Sequence, residues 1–216
     1  MLAGMATRGR PRSFDRDLAL RRAMIAFWER GYEGTSISDL TVAMGINSPS
    51  LYAAFGSKEQ LFREAVELYE ATEGGGPVRA MVEQSTARAS FEAILRGNVE
   101  TFADPSTPPG CMIVLAAAAG AVGNAEVRDF LADNRREVVT MLAARVERGI
   151  DEGDVPPGTD ARALATFYAT VLQGLSIQSR DGAPAAALHA VVDSSMAAWD
   201  TLVAAAPAPT PVSRPA

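Results

Sequence analysis

Apolar positions recur at helical spacing through most of this 216-residue chain, and no segment shows the period-two alternation of a strand. Residues 16–30 offer Leu18, Ala19, Ile25, Ala26 and Trp28 to a core, and residues 58–73 offer Leu61, Phe62, Ala65, Leu68 and Tyr69. Beyond them the pattern predicts a short helix at 77–84, then helices at 86–103, 111–119, 125–152, 160–180 and 184–204. The run Gly74-Gly75-Gly76-Pro77, the proline-rich loop 104–110, residues 120–124 and residues 153–158 separate them. The expected fold class is all-α, with about nine helices and no internal repeat.

The stretch 36–58 reads as two short helices around a tight turn. Ser36 with Asp39 has the form of a capping box. Ile37, Leu40 and Val42-Ala43 give the first helix an apolar side, and Gly45 can leave it in the left-handed region. Asn47 or Ser48 can cap the second helix, with Pro49 in its first turn. Leu51 and Phe55 face inward four residues apart, leaving Ser48, Ser50, Tyr52 and Ala53 outside. Ser57 and Gln60 open a further helix with a second capping box. This is the plan of a helix-turn-helix, whose second helix enters the DNA major groove; an αα-corner in an ordinary helical domain has the same spacing.

Composition narrows the function classes. The single cysteine excludes an internal disulfide framework and fits a reducing cytoplasm, and one cysteine with one histidine argues against a zinc site. No apolar run is long enough to span a membrane, and the basic N-terminus lacks the apolar region of a secretory signal. The formal net charge of −6 is unevenly spread. Residues 1–63 carry eight arginines and Lys58 against six acids, while the remainder carries eleven arginines against twenty acids. A basic head on an acidic body suits DNA contact through the head.

The segment from about Arg16 to Tyr69 resembles the DNA-binding domain of TetR-family transcriptional regulators. The residues that carry the resemblance are Ala26 to Tyr32, Thr35-Ser36-Ile37, Gly45-Ile46, Leu51-Tyr52 with Phe55, and Ser57-Lys58-Glu59 with Leu61. It implies a basic arm at 1–13, a helix-turn-helix domain with its connecting helix at 14–73, and an effector-binding and dimerisation domain at 77–204. Residues 205–216, with four prolines, read as a disordered tail. In the arm, Arg8-Gly9-Arg10-Pro11-Arg12 resembles an AT-hook core, so Arg10 and Arg12 are expected to reach the minor groove or phosphates. By the resemblance Tyr52 and Lys58 reach phosphates, and Ser36, Ser38, Ser48 and Ser50 stand at positions that touch bases or backbone. Ala53-Ala54 departs from the larger residues of many relatives, which thins direct readout.

In the body, the resemblance implies a cavity for an unknown small effector, lipophilic or aromatic. Phe91, Leu95, Asn98, Phe102, Met112, Leu115, Met141, Phe167, Tyr168 and Gln173 are candidate walls. The last two predicted helices are apolar beyond one stripe, which calls for a second buried side. With the family's four-helix dimer interface, this assigns Leu164, Val171, Leu175, Leu188, Val192 and Trp199 to a homodimer contact. Cys111 begins a predicted helix, where a thiol's pKa can fall, but it also opens an apolar run in which a buried cysteine is ordinary. No cofactor is expected. His189 lacks a nucleophile partner, and no nucleotide-binding glycine motif is present, so the chain is not expected to be an enzyme. The expected function is a homodimeric, effector-responsive repressor of a palindromic double-stranded DNA operator, in the cytoplasm. The alternative is an all-α small-molecule-binding protein without operator binding.

Overall fold

The computed structural model describes residues 14–118 and 124–204, which form eleven helices and no strand. The arm with Arg10 and Arg12, most of the break at 120–124 and the tail at 205–216 lie outside the described residues. The head comprises α1 (Arg16–Arg30), α2 (Ile37–Met44), α3 (Ser48–Phe55) and α4 (Lys58–Ala71). The body follows with α5 (Gly75–Val82), α6 (Ala87–Ala103), α7 (Met112–Ala118) and α8 (Ala125–Glu152). It closes with α9 (Ala161–Arg180), α10 (Ala185–Ala197) and α11 (Trp199–Val203).

Two differences from the sequence pattern have local causes. The glycine run is no linker, because α5 begins inside it at Gly75. A Cβ on Gly75 would come within 2.6 Å of the Glu70 carbonyl, so a residue without one lets α5 turn tightly off α4. Pro77 sits in the first turn of α5, where a missing N–H is harmless. The last expected helix steps at Ala198 into α10 and α11, and Trp199 packs at 5.2 Å from Phe91 and 5.7 Å from Tyr168.

Two apolar clusters organise the chain. One holds the head, with Phe27, Trp28, Leu40, Leu51, Phe55, Leu61 and Phe62, and it continues into the body through Met112, Ile113, Val127 and Leu131. The other fills the body between α6, α8, α9 and α10, around Phe91, Leu95, Val146, Tyr168 and Trp199. Cys111 packs against both. Head and body are therefore fastened by shared core, and hydrogen bonds add to it. Trp28 Nε1–H donates to the Gly110 carbonyl at 2.9 Å, Asn124 Nδ2–H to the Tyr32 hydroxyl at 3.4 Å, and Arg180 to the Glu29 carbonyl.

Candidate nucleic-acid interface and effector cavity

The helix-turn-helix is built from interactions that span only a few residues. Ser36 accepts from the Asp39 N–H at 3.1 Å while Asp39 accepts from the Ser36 N–H at 2.8 Å, a complete capping box. These bonds, with Arg30 at 3.3 Å, hold the Asp39 carboxyl below its ordinary 3.8, the Ser36 side chain contributing most. α2 ends on Gly45 at φ 70°, whose N–H and that of Ile46 both return to the Thr41 carbonyl. Asn47 accepts from the Ser50 N–H at 2.9 Å and starts α3; Ser57 accepts from the Gln60 N–H at 3.0 Å and starts α4. Leu40, Met44, Leu51 and Phe55 are buried against α1 and α4, which fixes the outer face of α3.

On that outer face Tyr52 is 48% exposed. Ser38 is exposed, and Ser48 and Ser50 are half-buried along the first turn of α3. Ser36 is exposed, but its hydroxyl is already engaged with Asp39 at 2.6 Å. Lys58, at the first position of α4, lies with Nζ 4.2 Å above the Tyr32 ring. Burial lowers its pKa from the ordinary 10.5, against the pull of Glu33. Val42, counted with the apolar side of α2, instead stands in the open at 80% exposure.

A cavity of about 580 Å³ opens in the body beside the end of α4. Of the candidate walls, Asn98, Phe102, Met141 and Gln173 line it. The other expected walls are elsewhere. Phe91, Leu95 and Tyr168 are packed inside the body core, where the Tyr168 hydroxyl donates to the Ser195 carbonyl at 3.0 Å. Met112 belongs to the head's cluster, Leu115 is not in the lining, and Phe167 is on the outside at 39% exposure. Tyr69, Glu70, Cys111, Asn134 and Arg135 contribute instead. One sequence signal for the last two was present, because Asn134, Arg135, Val138 and Met141 share a helical stripe. Burial pushes the Cys111 thiol above its ordinary 9.0, outweighing the Val114 N–H, Tyr69 and the Ile113 N–H, which favour the thiolate. The thiol is thus protonated at neutral pH, and the expected lowering at a helix start does not prevail.

The assigned dimer residues need a correction. Leu164, Leu175, Leu188, Val192 and Trp199 are at most 3% exposed and lie in the core of their own chain; only Val171 is partly open. They fill the space between α9, α10 and α6, so they are not available to a second subunit. The exposed side of α9 carries Ala163, Phe167, Thr170, Gly174 and Ile177 at helical spacing, and that of α10 carries Ala187, Val191 and Ser194.

Comparison with known proteins bears on the head and the body separately. The model for bacterial regulatory proteins of the tetR family matches residues 19–65, and that for the tetracyclin repressor-like C-terminal domain matches residues 87–194. The chain belongs to the TetR family of transcriptional regulators. It is 32% identical to the HTH-type transcriptional repressor ComR of Escherichia coli (strain K12), over 91% of this chain and 94% of that protein. Among solved structures it is similar to the TetR family regulator CifR, in a cysteine mutant complexed with 26bp double-strand operator DNA. That similarity has 48% identity and a TM-score of 0.85, covering 88% of this chain and 100% of that one. A TetR regulator from Rhodococcus sp. RHA1 is 38% identical with a TM-score of 0.57, over 89% of this chain and 100% of that one. Among the described residues no helix is long and apolar enough to cross a membrane, and no cluster of three metal-ligating side chains occurs.

Proposed function

We propose that the chain is a cytoplasmic, homodimeric repressor that holds a palindromic operator and leaves it when a small lipophilic or aromatic effector enters the body. The observation that carries this reading is the shared position of α4. Its first residue, Lys58, is one of the proposed DNA contacts, and Tyr69 and Glu70 near its other end form part of the cavity wall. A ligand that favours one position of that helix changes the spacing of two heads, which must match major grooves about 34 Å apart. The cavity has the size of ordinary small-molecule sites. ComR is a repressor and CifR was solved on operator DNA, which supports the same role here.

The exposed stripe Phe167, Thr170, Gly174 and Ile177 on α9, beside Val191 on α10, supports a two-fold contact between subunits. Tyr52, Lys58, Ser38, Ser48 and Ser50 are the proposed DNA-contacting residues, together with Arg10 and Arg12 of the arm. Fluorescence anisotropy with duplexes from upstream of the gene, over a salt series, tests the reading. One fragment should bind tightly, weaken steeply with salt, and lose affinity with Tyr52→Phe or Lys58→Ala, the latter reducing the salt slope by about 1. Absence of binding to every upstream fragment at low salt overturns it in favour of a small-molecule-binding protein without an operator.

A further inference from the structure

The cavity's polar groups are not equivalent. Asn98 and Asn134 give their side-chain N–H groups to the Ile94 and Phe130 carbonyls of their own helices, at 2.8 and 2.9 Å. Glu70 and Glu137 line the cavity but are exposed residues, as is Arg79. Arg135 differs from these. Its Nη1 is buried and, among the described residues, has no hydrogen-bond partner and no carboxylate within 4.0 Å. Burial lowers its pKa from the ordinary 12.5, the Arg136 charge adds to this, and only Cys111 acts in the opposite direction. A buried N–H of a guanidinium without a partner is costly, and an oxyanion is the group that best satisfies its planar fork. The same cavity is lined by Ile94, Phe102, Val138, Met141 and Leu172, apolar side chains suited to a hydrocarbon or aromatic body.

We propose that the effector carries a single carboxylate, or an equivalent monoanionic oxyanion, which seats on the Arg135 guanidinium while its apolar body fills the cavity. This inference rests on the effector-cavity reading above. The exposed carboxylates of Glu70 and Glu137 oppose a second negative charge and so select against dianions. Partial desolvation beside the cavity, more than the nearby Glu137 and Glu67, raises the Glu70 pKa from its ordinary 4.5, so negative charge is disfavoured there.

The test is isothermal titration of the full-length protein with octanoate, decanoate and phenylbutyrate, and with the primary amide and the amine of each. The same titrations on Arg135→Gln complete the comparison. At least one carboxylate should bind the wild type about tenfold or more tightly than its amide, and lose about that factor in Arg135→Gln. Amide affinity unchanged by the substitution shows that the variant keeps its cavity. Carboxylate and amide binding with equal affinity, or an amine binding best, overturns the inference and leaves the effector reading standing. Failure of every compound to bind overturns the inference and removes support for the effector cavity.

Discussion

The indole Nε1–H of Trp28, in α1 of the head, donates to the carbonyl of Gly110, 82 residues further along and immediately before Cys111 of the cavity wall, at 2.9 Å. The Trp28 ring also meets Tyr69 edge-on at 4.8 Å, and Tyr69 lines the same cavity. One buried side chain thus touches the α4 wall, the strap before α7 and the core of the head. Cys111 N–H continues the strap by donating to the Ser176 hydroxyl of α9 at 2.8 Å.

Trp28→Phe keeps an aromatic ring in the core but leaves the Gly110 carbonyl without this donor. The expected loss is about 1–2 kcal/mol, seen as a fall in melting temperature of about 2–8 °C. Because the bond joins head to body, operator affinity of the ligand-free protein should fall more than in a core variant of equal stability cost, such as Val146→Ala. Equal affinities in anisotropy for the two variants would show that the bond is structural only.

The capping box of α2 gives a pH signature. The Asp39 carboxyl titrates below its ordinary 3.8 in the folded protein, so its contribution is present above that value and is lost as pH falls through the lowered one. Asp39→Asn should therefore lower the melting temperature at neutral pH, and the difference from wild type should vanish in strong acid. A difference that persists unchanged into acid would mean the carboxylate charge does not hold the α2 start.

The turn of the helix-turn-helix rests on Gly45 at φ 70°. A Cβ there would meet only the Arg22 Nη1 at 3.4 Å, so the cost of Gly45→Ala is conformational rather than steric. It should destabilise by about 1–2 kcal/mol, and Gly45→Asn, which tolerates this region, by clearly less. Thermal unfolding of the pair checks the ordering, and equal losses would refute the conformational explanation.

These cases also show what the sequence made readable. Ser36 with Asp39, Asn47 with Ser50, and Ser57 with Gln60 act across three residues, so the residue types alone located the starts of α2, α3 and α4. The cavity was only partly readable. Its walls come from α4, α5, α6, α7, α8 and α9, and a void exists where side chains fail to meet, which no single helix records. Asn98 and Met141 are indistinguishable in pattern from Leu95 and Leu142, yet the first pair lines the cavity and the second pair is packed core. The same limit explains α9 and α10. Periodicity measures the width of an apolar face, but which part of that face meets the chain's own core is decided by the helices packed against it.

That distinction yields the sharpest test of the proposed dimer. Leu175 and Phe167 both lie on α9, but Leu175 is 1% exposed inside the body core and Phe167 is 39% exposed on the outer stripe. Leu175→Ala removes packed volume and should cost about 2–5 kcal/mol of stability while leaving the assembly state of the remaining folded protein unchanged. Phe167→Glu adds charge where an apolar partner face is proposed. Its isolated subunit should fold, since the wild-type ring lies at the outer edge of the body, meeting Tyr168 edge-on at 5.0 Å, but sedimentation velocity should report a monomer in place of a dimer. Ile177→Glu and Val191→Glu, on the same exposed side, should act in the same direction. A wild-type protein that sediments as a monomer, or a Phe167→Glu variant that remains dimeric, would remove this stripe as the interface. A palindromic operator would then require a different pairing of heads, because a single α3 with Ala53-Ala54 presents too few polar side chains to read a long site alone.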